Sequence, residues 1–255
     1  MDKKAFLNSI NYSDKALLSN IYDKIVLADK SNSTIYTNEF YPPVIWRSIE
    51  NIKENIPVKI NTYGVFEDSD RRMLAFSLYD IEEYPVLILK ICSKSKFNRL
   101  EHKDFLGALM NLGICREKFG DLFLYKDECY AAVCEEVAQY VMVNLGKVGK
   151  APCNVEVVYS LPEGLKSSFD IINTICTSLR IDCILSGLCN ISRNEALEFL
   201  KSGKVLLDYG EVYEKDKIIK PENIITVRGY GKFKLIEELG NTQKGRIKLA
   251  FKKYS

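Results

Sequence analysis

The chain has 255 residues, of which 47% are hydrophobic and 27% charged, and its formal net charge is +2. This composition is ordinary for a globular protein and excludes disorder as the default state, and the length favours two or three small domains. The amino-terminal residues lack the apolar segment of a signal peptide, and no apolar run approaches the roughly 20 residues that span a bilayer. We therefore expect a cytoplasmic protein without membrane contact.

The eight cysteines are scattered along the chain, contain no C-x-x-C pair and are accompanied by a single histidine, His102. A zinc site would need clustered thiolate or imidazole ligands, and disulfides are rare in the cytoplasm. Most of the cysteines have apolar neighbours, as reduced and buried cysteines do. The sequence therefore predicts no metal and no cofactor.

The first region, residues 1–80, is predicted to be a small α/β region. Its predicted elements are a helix over 13–28 capped by Ser13 or Asp14, a helix from Pro43 to about Ile52, and a strand over 58–63. Arg71 and Arg72 form the basic doublet of this region. The neighbouring Asp68 and Asp70 weaken that doublet as a contact for a polyanion.

The second region, residues 81–165, is predicted to be a ferredoxin-like plait of the order β-α-β-β-α-β. The predicted elements are strands over 85–92, 120–125, 129–134 and 155–160 and helices over 102–112 and 135–145, the first helix ended by Gly113. Plaits that bind RNA usually stack bases on aromatic residues of the central strands. Only Phe123, Tyr125 and Tyr130 are available here, and we expect them in the core. The turn-rich segment 162–168 is the predicted linker.

Basic residues are concentrated after this linker. From Ser178 to Ser255 there are 15 Lys and Arg against 10 Asp and Glu, whereas the preceding residues hold 21 against 24. A basic carboxy-terminal region on a mildly acidic body indicates a polyanionic partner, although a solvated basic surface would give the same count.

The third region, residues 178–255, is predicted to begin with two short helices. The first covers 179–188, and the second follows the capping box Ser192–Glu195 and ends at Gly203. The predicted strands that follow cover 205–207, 215–219 and 223–227, with a hairpin over 227–234 and a strand with alternating basic and apolar residues over 246–252. Backbone amides, the helix dipole and Arg193 meet at the start of the second helix, where a phosphate could bind.

Three blocks in this region closely resemble the alpha-L RNA-binding domain, which is named after small-subunit ribosomal protein S-four. The blocks are Ser178–Asp182, Ile191–Ala196 and Leu200–Val205. The family usually continues the strand into Val-Asn-Gly, whereas this chain has Leu207–Gly210. That departure puts a phosphate contact from this turn in doubt. The predicted fold class is thus α+β: the amino-terminal α/β region, the central plait and a carboxy-terminal alpha-L domain with a basic β tail.

This resemblance and the basic tail together give a set of predicted RNA-binding residues. They are Arg180, Ser192, Arg193, Asn194, Lys201, Lys204, Arg228, Lys232, Lys234, Lys244, Arg246 and Lys248. We expect the basic ladder along the last strand to follow a phosphate backbone, and protection of a sheet edge by lysine is the alternative.

A second resemblance covers essentially the whole chain. Four segments look like those of the YlmH family. They are Leu100–Ile114, Arg116–Asp121, Gly229–Phe233 and Gly240–Lys244. This resemblance implies a ribosome-associated RNA-binding protein in ribosome quality control, with ribosomal RNA, tRNA and the large subunit that still carries peptidyl-tRNA as partners. In place of an Ala-Glu-Arg-Lys-type segment of the family this chain has Asp68–Arg72, which weakens the expectation of an RNA contact from the first region. We expect a monomer.

A possible second RNA surface comprises His102, Lys103, Arg116 and Lys118, around the loop between Gly113 and Asp121. His102 as a general base would need a nucleophile or a scissile partner, and none is evident. A helix-capping role or an RNA contact fits it better.

An RNA-modifying enzyme of the pseudouridine synthase or methyltransferase type is the alternative, because alpha-L domains also accompany such catalytic domains. The sequence has no Gly-rich strand-to-helix loop for a methyl-donor cofactor. Two small domains before the alpha-L module also leave little room for a catalytic core. We therefore expect a binding factor and not an enzyme.

Overall fold

The computed structural model describes residues 1–66, 69–93, 100–163, 165 and 169–254. The chain divides into two compact units, Met1–Ser167 and Ser168–Ser255. Helices and antiparallel sheets occur in both, which confirms the α+β class. The predicted linker falls partly on residues 164 and 166–168, which lie outside the described residues.

The amino-terminal part of the first unit is a three-stranded sheet with helices. Its elements are α1 (Lys3–Ser9), α2 (Lys15–Ser31), β1 (Ile35–Tyr41), α3 (Pro43–Asn51), β2 (Lys59–Tyr63) and β3 (Arg72–Ser77), with the strand order β1-β3-β2. Of the two predicted caps for α2, Asp14 is the one used: its Oδ1 accepts the backbone N–H of Leu17 at 2.9 Å. α1, β1 and β3 were not predicted.

The rest of the first unit has the predicted β-α-β-β-α-β order. Its elements are β4 (Val86–Ser93), α4 (His102–Met110), β5 (Phe119–Tyr125), β6 (Glu128–Cys134), α5 (Glu135–Asn144), the short β7 (Lys147–Val148) and β8 (Ala151–Val158). The strands are ordered β5-β6-β4-β8-β7, and every neighbouring pair is antiparallel. The last main strand begins at Ala151, earlier than predicted, because β7 turns back on it through a tight turn at Gly149 (φ +58°).

One face of this five-stranded sheet is covered by the amino-terminal part. Phe40 and Met73 pack with Tyr130 in one buried cluster, and the rings of Phe66 and Phe123 lie 4.1 Å apart. The aromatic residues that a base-stacking plait would expose are therefore largely used for packing. This shared core also explains why residues 1–80 and 81–165, predicted as separate domains, form one unit.

The second unit is a six-stranded antiparallel sheet with two helices on one face. Its elements are β9 (Phe169–Cys176), α6 (Ile181–Cys189), α7 (Arg193–Lys201), β10 (Val205–Leu207), β11 (Gly210–Glu211), β12 (Ile224–Val227), β13 (Gly231–Asn241) and β14 (Ile247–Tyr254). The order is β11-β10-β12-β13-β14-β9. Ile184 and Leu200 of the helices pack with Phe233 and Phe251 of the sheet in its core.

Two features of the second unit differ from the sequence prediction. β9 pairs with β14 along its whole length, so the sheet starts before Ser178, where the alpha-L resemblance begins. The predicted strand over 215–219 is wrong, since only an isolated bridge joins Arg180 and Ile218. The carbonyls of Lys215 and Lys217 instead accept the N–H groups of Asp182 and Ile181, at 3.3 and 2.9 Å.

None of the eight cysteines forms a disulfide; six are buried, one is half-buried and Cys115 is exposed. Over the described ranges, no three His, Cys, Asp or Glu side chains come together in a way that could hold a metal ion. None of the described helices is long and apolar enough to cross a membrane.

The shared core of the first unit predicts a large loss of stability on truncation of Phe40. Its side chain extends from β1 and is fully buried against the plait sheet, so Phe40→Ala should lower the free energy of unfolding by about 3–5 kcal/mol. Urea unfolding followed by circular dichroism measures this loss. Tyr79→Ala is the control, because Tyr79 is 62% exposed and its loss should change stability little. Similar unfolding midpoints for the two variants would contradict the shared core.

Candidate nucleic-acid interface

The start of α7 has the predicted capping box. Ser192 Oγ accepts the backbone N–H of Glu195 at 3.2 Å, and Glu195 Oε2 accepts the backbone N–H of Ser192 at 2.7 Å. The bond from this backbone N–H lowers the pKa of Glu195. Because the Ser192 hydroxyl is used in the cap, it contributes to the geometry of the helix start. Asn194, in the first turn, is exposed.

Arg193, the first residue of α7, reaches across to the start of α6. Its Nη2 donates to Thr177 Oγ1 and to Cys183 Sγ, the latter at 3.1 Å. Cys183 Sγ also accepts a hydrogen bond from Ser178 Oγ at 3.2 Å. The guanidinium is thus held in place although the residue is exposed, which positions its charge near the first turns of both helices.

Arg180 caps the start of α6 and is paired with Asp182. Its Nε and Nη2 donate to the two carboxylate oxygens of Asp182 at 3.1 Å each. Burial opposes ionisation of Asp182, but the bonds from Arg180 and Cys183 outweigh it, so the pKa of Asp182 is lowered. The segment Thr177–Cys183 therefore contains Arg180 and also holds the guanidinium of Arg193.

A third group of predicted residues lies where the end of α7 meets the β12–β13 hairpin. Lys204 Nζ lies 5.0 Å from the centroid of the Phe199 ring, and that ring meets Tyr230 edge-on at 5.7 Å. The backbone N–H of Arg228 donates to the carbonyl of Lys204 at 2.9 Å. An exposed lysine thus lies beside a pair of aromatic rings, an arrangement suited to a phosphate and a neighbouring base. Lys201 nearby is paired with Glu198 at 3.2 Å.

The remaining predicted residues of the tail lie elsewhere on the second unit. Lys232, Lys234 and Lys248 occupy the sheet positions that alternate with the buried residues of β13 and β14, so they lie on the face away from the helices. Lys234 Nζ pairs with Glu222 at 2.6 Å and its side chain is only 12% exposed. Lys244 and Arg246 are exposed near the β13–β14 turn. The predicted set is therefore spread over more than one face.

The predicted second RNA surface of the first unit contains two cations that hold the fold together. Arg116 Nη1 donates to the carbonyls of Phe119 and Gly120. Lys118 donates to the carbonyl of Asn38 at 2.9 Å and also pairs with Glu136. Lys118 joins distant segments of the unit and Arg116 holds its own loop, so neither is an exposed cation of the kind expected from the sequence.

The other two residues of that predicted surface are the first two of α4. His102 and Lys103 are exposed, and Lys103 pairs with Glu101 at 2.7 Å. The basic doublet of the first region is also structural, because Arg71 is buried and donates to the carbonyl of Phe40 at 2.6 Å. Asp68 beside it lies outside the described residues.

Sequence reasoning missed the partners that hold these cations. Thr177 and Cys183, which accept from Arg193, carry no motif that would single them out. Phe199 and Tyr230 could have been found, because each aromatic residue is close in sequence to a predicted cation, Lys204 or Arg228.

Comparisons with known proteins find three similarities. Residues 80–160 match the family model described as "Putative RNA-binding domain in YlmH". The chain is 26% identical over 195 residues to "Ribosome-associated protein quality control protein P2" of Bacillus subtilis (strain 168), covering 74% of this chain and 76% of that protein. A solved structure, "Cell division protein ylmH from Streptococcus pneumoniae", is 21% identical with a TM-score of 0.47, over 58% of this chain and 93% of that chain.

An α+β chain that matches an RNA-binding domain model, and that gathers arginines at two helix starts, has the features of an RNA-binding protein. More narrowly, residues 80–160 are similar to the RNA-binding domain of the YlmH family.

The Arg180–Asp182 pair predicts a pH-dependent contribution to stability. Because the folded-state pKa of Asp182 is lowered, its carboxylate stabilises the fold above the ordinary value of 3.8, and this contribution is lost as the pH falls below it. Asp182→Asn should therefore lower the free energy of unfolding by about 1 kcal/mol at pH 7. Urea titrations at pH 7 and pH 3 measure both values. A difference from the unsubstituted protein that stays constant over this range would contradict the assignment.

Proposed function

We propose that this protein is a ribosome-associated RNA-binding factor that acts by binding and not by catalysis. The observation that carries the proposal is the start of α7, where Arg193 is held beside a capped helix start and near the start of α6. Backbone amides, the positive ends of helix dipoles and a guanidinium together favour a phosphate. The RNA-binding family model over residues 80–160 supports the same class of ligand.

The proposal that the partner is the ribosome is supported by the relative from Bacillus subtilis, whose name places that protein in ribosome-associated protein quality control. We infer that the present chain binds ribosomal RNA and tRNA on a large subunit that carries stalled peptidyl-tRNA, as the YlmH resemblance implies. The second unit supplies the main anchor in this proposal, since it holds the basic excess of the chain. We propose that the factor acts as a monomer in the cytoplasm, where ribosomes are.

Charge reversal at Arg193 tests the anchor. Arg193→Glu replaces a cation by an anion at the proposed phosphate site and should reduce co-sedimentation with ribosomes by at least about tenfold at physiological salt, the range of a lost charge-assisted contact. Binding of the unsubstituted protein should also weaken steeply as salt rises.

The matched control is Lys150→Glu, because Lys150 is an exposed lysine in the β7–β8 turn of the first unit. Arg71 would be unsuitable, since it is buried. Arg193 also has hydrogen bonds to Thr177 and Cys183, so Arg193→Lys and a thermal melt separate loss of charge from loss of fold. Full co-sedimentation of a folded Arg193→Glu variant would contradict the proposal.

Absence of catalysis has its own test. Ribosomal RNA and tRNA incubated with the purified protein, with and without S-adenosylmethionine, should keep an unchanged nucleoside composition by mass spectrometry. The control is the same RNA incubated with heat-denatured protein. A modified nucleoside that forms only with the folded protein would favour the RNA-modifying enzyme instead.

A further inference from the structure

The face of the six-stranded sheet away from the helices carries a second group of cations and rings. Phe233 and Phe251 point into the core with α6 and α7, so their sequence neighbours Lys232 and Lys252 lie on the opposite face. Lys232 is opposite Tyr254 on the adjacent strand, and Tyr254 is in turn opposite Phe169. Strand register thus places a line of side chains across three strands.

Each of two lysines in this line lies over an aromatic ring. Lys232 Nζ is 4.3 Å from the centroid of the Tyr254 ring and donates to the hydroxyl of Tyr209 at 3.1 Å. Lys252 Nζ is 4.3 Å from the centroid of the Phe169 ring. We call these five residues the lysine–aromatic row.

The backbone conformation of Tyr209, the fifth residue of the row, is unfavourable for a residue with a Cβ. Its φ is +71°, in the left-handed region that a residue with a Cβ adopts only with strain. The preceding Asp208 fixes the turn, because its carboxylate accepts the backbone N–H of Ile224 at 2.8 Å and the Asn223 side chain at 2.6 Å. Glycine would fit this conformation without strain, so a tyrosine here indicates that the ring has a use.

We propose that the lysine–aromatic row binds an unpaired, single-stranded segment of RNA, with bases stacked on Tyr254 and Phe169 and phosphates held by Lys232 and Lys252. This inference rests on the proposed function only in taking RNA as the ligand. Proteins that bind single strands combine cations that follow the backbone with rings on which bases stack. A phosphate would draw each ammonium group off its ring, and a base would then take the vacated ring face.

The charges of this face favour a nucleic acid. Lys248 lies on the same face, further along β14. Lys234 forms an ion pair with Glu222, which neutralises its charge. The acidic residue Glu237 is opposite Ala250, away from the row. The positive charge of this face is therefore concentrated at Lys232 and Lys252, beside the aromatic rings of the row. An acidic peptide would satisfy the lysines but would offer no planar groups for stacking, and a paired helix keeps its bases stacked on one another.

Removal of the Tyr254 ring is the direct test. Fluorescence anisotropy with the full chain measures the affinity for a labelled dodecamer of uridine and for an RNA duplex of the same length. Tyr254→Leu keeps an apolar side chain but no ring, and it should weaken oligouridine binding about five- to tenfold, the low end of the effect of losing one stacked base. Duplex binding should change less than about twofold, since it depends on charge.

Tyr209→Gly is the second variant, because it removes a ring of the row and the left-handed strain together. It should weaken oligouridine binding while the melting temperature stays unchanged or rises, a combination that a purely structural role of Tyr209 would not give. The matched control is Tyr213→Leu, an exposed tyrosine of the same unit that pairs with Glu211 outside the row.

Phe169→Leu replaces Tyr254→Leu if the latter fails to fold. Unchanged oligouridine affinity in the folded row variants, or equal losses on oligouridine and duplex, would overturn the row as a single-strand site. That result leaves the proposed function standing, because its own test is ribosome co-sedimentation of Arg193→Glu. Conversely, full co-sedimentation of Arg193→Glu would contradict the proposed anchor without bearing on the row. The oligouridine measurements would then still show whether the row binds single-stranded RNA.

Discussion

The first turn of α6 is the contact point that holds Arg180 and Arg193, the two arginines at the helix starts of the second unit. Its amide groups at Ile181 and Asp182 donate to the carbonyls of Lys217 and Lys215, which satisfies helix-end donors that would otherwise be unpaired. Its side chains at Asp182 and Cys183 accept from the two arginines. One helix start therefore fixes the 215–219 segment and both guanidinium groups at once.

Held side chains are an advantage for binding a phosphate. A free arginine loses about 0.5–1.5 kcal/mol of rotamer freedom when it is immobilised at an interface. In this unit Arg193 is already oriented by Thr177 and Cys183, and Arg180 by Asp182, so part of that loss has occurred during folding. The Asp182 carboxylate reduces the net charge of the site, but it also keeps the Arg180 guanidinium at a fixed place near the start of α6.

Local patterns were enough to predict the elements that the chain forms with its near neighbours. Helix α2 follows from apolar spacing, the start of α7 from its capping box, and β14 from alternation of lysine with apolar residues. These signals are contained in a few consecutive residues, and for that reason the structure confirms them.

The errors arise where distant segments decide the outcome. The strand expected over 215–219 looked extended, but its carbonyls bind the start of α6 and it joins no ladder. Lys118 reads as an exposed cation in a loop, yet Asn38, far away in sequence, accepts its hydrogen bond. The outer face of the second sheet was also missed as a unit, because Phe169, Lys232 and Tyr254 become neighbours only through strand register.

The two units differ in whether the aromatic residues on their sheets are available for stacking with RNA bases. In the first unit the plait sheet turns Phe123 and Tyr130 towards the amino-terminal part, where Phe66 and Phe40 cover them. A base-stacking mode on those residues would require the shared core to open, which the burial of Phe40 makes costly. In the second unit the helices cover only one face of the sheet, and the other face keeps rings beside lysines. Stacking of bases is therefore better suited to the second unit, and any RNA contact of the residue 80–160 domain has to run through positions outside its packed strands.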